Sequence, residues 1–148
     1  MRKPDRIINK DYLSRWHLIP KNRFFNIYLH KFVGSDNDRA LHDHPWWSVS
    51  FLLKGELIEV LKETPLTKEL RFIGKYRPYL RPAELAHRMV LIGDEAWTLF
   101  ITGPKIREWG FWTLNYNYWE NLSSNIFYLN SQEEKPYIWI HNEEFLEK

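Results

Sequence analysis

Cysteine is absent from all 148 residues. That excludes a disulfide framework, a thiolate zinc site and a thiol nucleophile, and it fits a reducing compartment. Charge of one sign is also lacking. The formal net charge is +2, and Lys and Arg are scattered apart from the opening MRK, so composition gives no ground for a nucleic-acid or membrane partner. No apolar run approaches the roughly 18 residues a membrane helix needs, and the amino terminus lacks the apolar core of a signal peptide. The expectation is a soluble cytoplasmic protein of one domain, 1–148, long enough to bury a core without staples.

What the chain has in excess is aromatic side chains, 17% of residues with eight Trp, eight Tyr and nine Phe. Such rings suit a pleated, half-buried surface, so the composition leans towards sheet, with most rings as packing. The local patterns agree. FFNIYLHKFV (24–33) sets Phe25, Ile27 and Leu29 against Asn26, Tyr28 and His30 with period two, the mark of a two-faced strand. Residues 34–45 are a polar loop of turn formers. An apolar strand over 46–53 breaks at Gly55, and alternation resumes over 56–63. Further strands are predicted over 70–73, 85–92, 97–102, 106–118 and 136–141, with a hairpin-like turn at Gly93-Asp94-Glu95. Helix is predicted only near the ends, over 10–16 and 142–148. Many short strands with frequent turns read as an all-β sandwich or barrel.

The stretch ALHDHPWW (40–47) carries the chemistry. In a strand, residues i and i+2 share a face, so His42 and His44 converge while Asp43 points away. Two imidazoles on one face make two arms of a metal site. His87, which opens another apolar stretch, is the candidate for the third.

The order and spacing of these residues resemble the cupin superfamily, small β-barrels of the double-stranded β-helix (jelly-roll) type. His42 and His44 match the first cupin motif, with Gly55 near its closing glycine and Ser48 where that motif has a glutamate. Pro82 and His87 match the second motif, while Tyr76, Glu84 and Leu91 stand at its two glycines and its asparagine. The stretches FNIYLH, ALHDHPWW and WTLFITGPKIREWGFW resemble more closely a group of cupin-like proteins of bacteria and phages to which no reaction is attached.

The resemblance implies an all-β double-stranded β-helix with minor terminal helices and a core over roughly 24–118. It also implies a homodimer, since cupins commonly cover aromatic strand edges with a partner. Without the motif glutamate, the ligand set is three histidines, as in the cupin thiol dioxygenases. That favours Fe2+, with Zn2+, Ni2+ or Mn2+ as other divalent ions, and an oxygenase acting on a small molecule. Ser48 and Tyr28 are the candidate proton-handling groups. Arg39, Arg81 and Trp46 are the candidate substrate contacts. A sugar-nucleotide-type isomerase or epimerase and a non-catalytic binding cupin remain alternatives.

Overall fold

The computed structural model describes residues 2–36, 40–124 and 135–146. Its large sheet has seven strands: β1 (Arg6–Ile8), β2 (Leu13–His17), β3 (Asn26–Phe32), β5 (Ser48–Glu63), β6 (Lys68–Phe72), β7 (Tyr79–Arg81) and β8 (Arg88–Thr102). They run in the order β1-β2-β3-β8-β5-β6, with β7 paired to β5. A three-stranded sheet, β10-β9-β4, joins β4 (Leu41–His42), β9 (Gly110–Leu114) and β10 (Tyr137–His141). Three short helices complete the described chain: α1 (Asn9–Tyr12), α2 (Tyr116–Ser124) and α3 (Asn142–Leu146). The architecture is all-β with minor helices, as the alternation implied.

Period-two burial is clearest in β3, where Asn26, Tyr28, His30 and Phe32 are buried and the residues between them less so. One end of the interior is closed by an apolar cluster that includes Leu13, Phe32, Leu52, Leu57, Met89 and Ala96. The core therefore begins before position 24: β2 supplies Leu13 to that cluster and lies against β3.

Three local expectations are corrected. The predicted helix over 10–16 is one turn followed by strand β2. Leu13 and Trp16, three apart, mimic a helical stripe, but they sit on opposite faces: Leu13 joins the core, whereas Trp16 stacks on Trp97 at 5.5 Å. The predicted turn at Gly93-Asp94-Glu95 does not reverse the chain. Both halves of β8 stay antiparallel to β5, and the surplus residues are taken up by a register shift between Lys54 and Glu56. Gly55 makes that bend possible. It has φ +87°, and a Cβ there would lie 2.3 Å from the Glu95 carbonyl oxygen, so only glycine fits. Finally, the strand predicted over 106–118 ends at Leu114. Asn115 stops it, its side-chain oxygen standing 3.4 Å from the Tyr118 N–H at the start of α2, the geometry of an asparagine cap.

Asp43 ties the small sheet together from the far side of the histidine pair. Fully buried, it accepts hydrogen bonds from the Gly110 N–H (2.7 Å), Trp112 Nε1 (3.1 Å) and Trp139 Nε1 (3.0 Å), with Arg107 Nη1 3.1 Å away. One carboxylate thus joins β4 to β9 and β10. Asp43→Asn keeps the shape but turns one acceptor into a donor facing donors. The expected loss is about 1–3 kcal/mol in urea denaturation, and an unchanged midpoint would remove this role.

Candidate metal centre

The three histidines come from two pieces of backbone that are zipped together. His42 ends β4, His44 lies in the bend beyond it, and His87 immediately precedes β8. The His42 N–H donates to the His87 carbonyl and the His87 N–H to the His42 carbonyl, each at 3.0 Å. The His44 N–H donates to the Ala83 carbonyl at 3.0 Å. These bonds hold the rings 5.0 Å (His42–His44), 5.1 Å (His42–His87) and 4.9 Å (His44–His87) apart, centroid to centroid. One nitrogen from each lies within 4.8 Å of the others.

Behind His87 stands a carboxylate that the sequence reading did not use. Glu59, on β5 and fully buried, has Oε1 2.6 Å from His87 Nδ1. Arg81 grips the same carboxylate through Nε (2.6 Å) and Nη2 (3.1 Å), and Arg71 Nε donates to Oε2 at 3.0 Å. Burial by itself would raise the Glu59 pKa, but the hydrogen bonds from His87 and Arg81 outweigh it and hold the group well below the usual carboxylate range. An ionised carboxylate only accepts, so the proton of neutral His87 sits on Nδ1 and leaves Nε2 with a lone pair to give. A second carboxylate, Asp36 Oδ2, lies 3.1 Å from His42 Nδ1.

Two of the three imidazoles, His87 and His44, are kept uncharged. Burial brings His87 down to about 4, against the opposing pull of its hydrogen bond to Glu59. Burial, then the neighbouring His87 and His42 and the charges of Arg81 and Arg15, put His44 well below its ordinary value. Metal ligation requires neutral imidazole. Three converging imidazole nitrogens, one of them with its tautomer set by Glu59, fit a divalent ion of the imidazole-preferring kind.

The inner face of the large sheet extends the site. Successive rungs across it bring together Arg15, His30 and Thr98, then His17, Tyr28, Phe100 and Ser50, then Asn26, Thr102, Ser48 and Arg81. Asn26, His30, Ser48, Ser50, Thr98 and Thr102 are all buried. Thr102 Oγ1 has no hydrogen-bond partner among the described residues. A wall of buried polar groups is a costly way to fill a core and suits a chamber that holds water or a polar ligand. A contact path of rings links it to the histidines: His44 stacks on Trp46 (5.1 Å), Trp46 meets Phe100 (5.6 Å), and Phe100 meets His30 (5.0 Å).

The residues singled out from the sequence fall as follows. Ser48 is buried at the start of β5, paired with Arg81 and Thr102. Tyr28 is buried on β3, under Arg15 and beside His30, so it stands on the inner wall beside those two residues. Trp46 flanks His44. Arg81 spends its fork on Glu59 and on Ser50 Oγ (2.6 Å), so its place is behind His87. Arg39 lies outside the described residues. The sequence carried one signal for Glu59, an acid two residues after Leu57 on the buried register of an apolar strand. Nothing in the sequence pointed to Asp36 or Arg15. A separate cleft of about 260 Å³, lined in part by Glu63, Arg88, Trp112 and Tyr137, contains none of the three histidines.

No protein-family model matches the chain, and no curated protein sequence matches it. Solved structures do. The dimethylsulfoniopropionate (DMSP) lyase DddQ from Ruegeria pomeroyi DSS-3 superposes with a TM-score of 0.52 at 16% identity, over 67% of this chain and 50% of that one. The hydroxypropylphosphonic acid epoxidase from S. wedmorenis gives 0.53 at 14% identity, over 69% and 58%. A cupin domain from Bordetella pertussis is matched over 70% of this chain and 97% of its own, at 19% identity and a TM-score of 0.48. The chain thus spans only half to three-fifths of the first two, and at such identities they speak to fold alone. The protein has the cupin fold. Within that fold it carries a three-histidine group suited to a divalent metal.

Proposed function

We propose that the protein is a metal-dependent cupin enzyme, an iron(II) oxygenase acting on a small polar molecule held in the barrel. The observation that carries this reading is the convergence of three imidazoles beside a polar inner wall. Bound iron would supply Lewis acidity and one-electron redox chemistry, with coordination positions left over for reactants. His42, His44 and His87 would hold the ion; Glu59 keeps His87 in its ligating tautomer, and Arg71 and Arg81 grip the Glu59 carboxylate. Trp46 covers one side of His44 and limits water there. Ser48 and Tyr28, among the hydroxyls on the inner wall, are the ones assigned to pass a proton to or from a ligand. Among the described residues no carboxylate joins the three-histidine group, so a divalent ion held there would keep its formal charge and would favour an anionic ligand such as a thiolate or carboxylate.

The test starts from protein purified without a histidine tag or chelator and analysed for metal. Metal-free protein is then loaded anaerobically with ferrous iron, and oxygen uptake is measured with small thiols and small carboxylates. Uptake above the substrate-free rate is expected with at least one of them. Ser48→Glu, which adds a negative charge to the chamber wall, is expected to weaken anion binding about tenfold. Absence of metal at one equivalent per chain would overturn the metal centre; absence of uptake across the panel would overturn the oxygenase.

A further inference from the structure

Most of the arginines held partly or fully inside this protein have a carboxylate. Arg71 and Arg81 share Glu59, Arg88 has Glu63, and Arg107 has Asp43. Among the described residues Arg15 is the exception. It is partly buried on β2, paired with buried His30 on the face that carries Leu13, and among the described residues no carboxylate lies within ion-pair distance of it. Its Nε donates to His30 Nε2 at 2.9 Å, and its guanidinium lies 4.3 Å over the Tyr28 ring. His30 can accept that bond because burial, and then the Arg15 charge itself, keep it well below its ordinary pKa and neutral. The two Nη groups make no hydrogen bond among the described residues. Burial draws the Arg15 pKa down to about 10, countered by Tyr28 and reinforced by the like charge of Arg6. A desolvated guanidinium oriented by two rings, with its fork uncommitted, is an expensive feature to keep without an anion.

Arg15 is also connected to the metal centre. His30 meets Phe100, Phe100 meets Trp46, and Trp46 stacks on His44. Arg15 is close enough for its charge to be among those acting on His44.

We propose that Arg15, oriented by His30 and Tyr28, is an anion-binding subsite of the chamber. It takes the carboxylate of a small substrate whose other end reaches the three histidines. This rests on the metal-centre reading for its second end and narrows the substrate to molecules with two polar ends, one of them anionic. The fork offers Nη1 and Nη2 to the two carboxylate oxygens, and the ring path between the two ends favours an apolar or short aliphatic middle.

The experiment uses zinc-loaded protein titrated calorimetrically with propionate and with malonate, succinate, glutarate and adipate. At least one dicarboxylate is expected to bind tenfold or more tightly than propionate. Arg15→Gln is expected to erase that gain with zinc stoichiometry unchanged, and Arg15→Lys, which keeps the charge but loses the fork, to retain part of it. A gain that persists in Arg15→Gln, or that is absent from the unaltered protein, overturns the subsite. Failure of the metal centre would show separately, as zinc not bound. The subsite is then read in metal-free protein from the Arg15 Nε–Hε resonance during a propionate titration: a saturating shift supports it, and no shift overturns it.

Discussion

Glu59→Ala is expected to destabilise the protein by about 3–5 kcal/mol, the cost of breaking a buried ion pair by removing one partner. Glu59 is fully buried and holds Arg81, itself buried, together with Arg71 and His87. Without it the Arg81 guanidinium keeps only Ser50 Oγ and the Tyr79 carbonyl as acceptors, and a fixed positive charge is left in the interior beside His87. Metal affinity is expected to fall by 10–100-fold in Glu59→Gln, where the shape is kept but the charge that secures the His87 tautomer is gone. Urea denaturation of both variants and calorimetric titration of Glu59→Gln with zinc read the two effects separately. Unchanged affinity in Glu59→Gln would mean that His87 does not depend on this carboxylate.

The second large effect is expected at His87 itself. His87→Ala removes one of three ligands and should abolish stoichiometric metal binding. The fold should survive, because Glu59 keeps both arginines and the His42–His87 backbone bonds do not involve the ring. The stability change should stay near 1–2 kcal/mol. Full metal occupancy in this variant would mean that His87 is not a ligand.

The same histidine sets a pH dependence. Its folded pKa, about 4, lies below the ordinary 6.5, and that of His44 is lowered in the same sense. The unfolded chain therefore takes up protons first on acidification. Stability from these groups is complete above about pH 6.5 and is lost as pH falls from there towards 4. Glu59, held below the usual carboxylate range, adds a further loss below about pH 4.5. The melting temperature of metal-free protein should be flat from pH 8 to 6.5 and fall from 6.5 to 4; a rise over that interval would contradict the buried neutral imidazoles. An unperturbed imidazole is protonated below about pH 6.5, whereas His44 and His87 should keep their nitrogens free for a metal to lower pH.

Much of this could be read from the chain before any coordinates. Period-two alternation in FFNIYLHKFV is local, and a strand's faces follow from it whatever the partner, so β3 matches its expected span closely. The alternation in ALHDH likewise places His42 and His44 on one side and Asp43 on the other. His87 was singled out because it opens another apolar stretch, the cupin spacing agreed, and the structure brings it to the pair.

Tertiary pairing decided the rest. Leu13 and Trp16 fit a helix locally, but the backbone bonds and apolar contacts offered by β3 select a strand, because propensity differences of tenths of a kcal/mol yield to packing. Gly93-Asp94-Glu95 has turn chemistry, yet pairing with β5 on both sides keeps β8 running on. The missing carboxylate is the clearest case. Glu59 stands fifteen residues beyond His44 in the sequence. It reaches His87 only because the bend at Gly55 and the register of β5 against β8 turn it inward. Arg15 is legible as a buried cation without a counter-ion only once the sheet has closed over it. Facing within one strand depends on neighbours in sequence, whereas facing between strands depends on register and bulges, which are long-range properties of the fold.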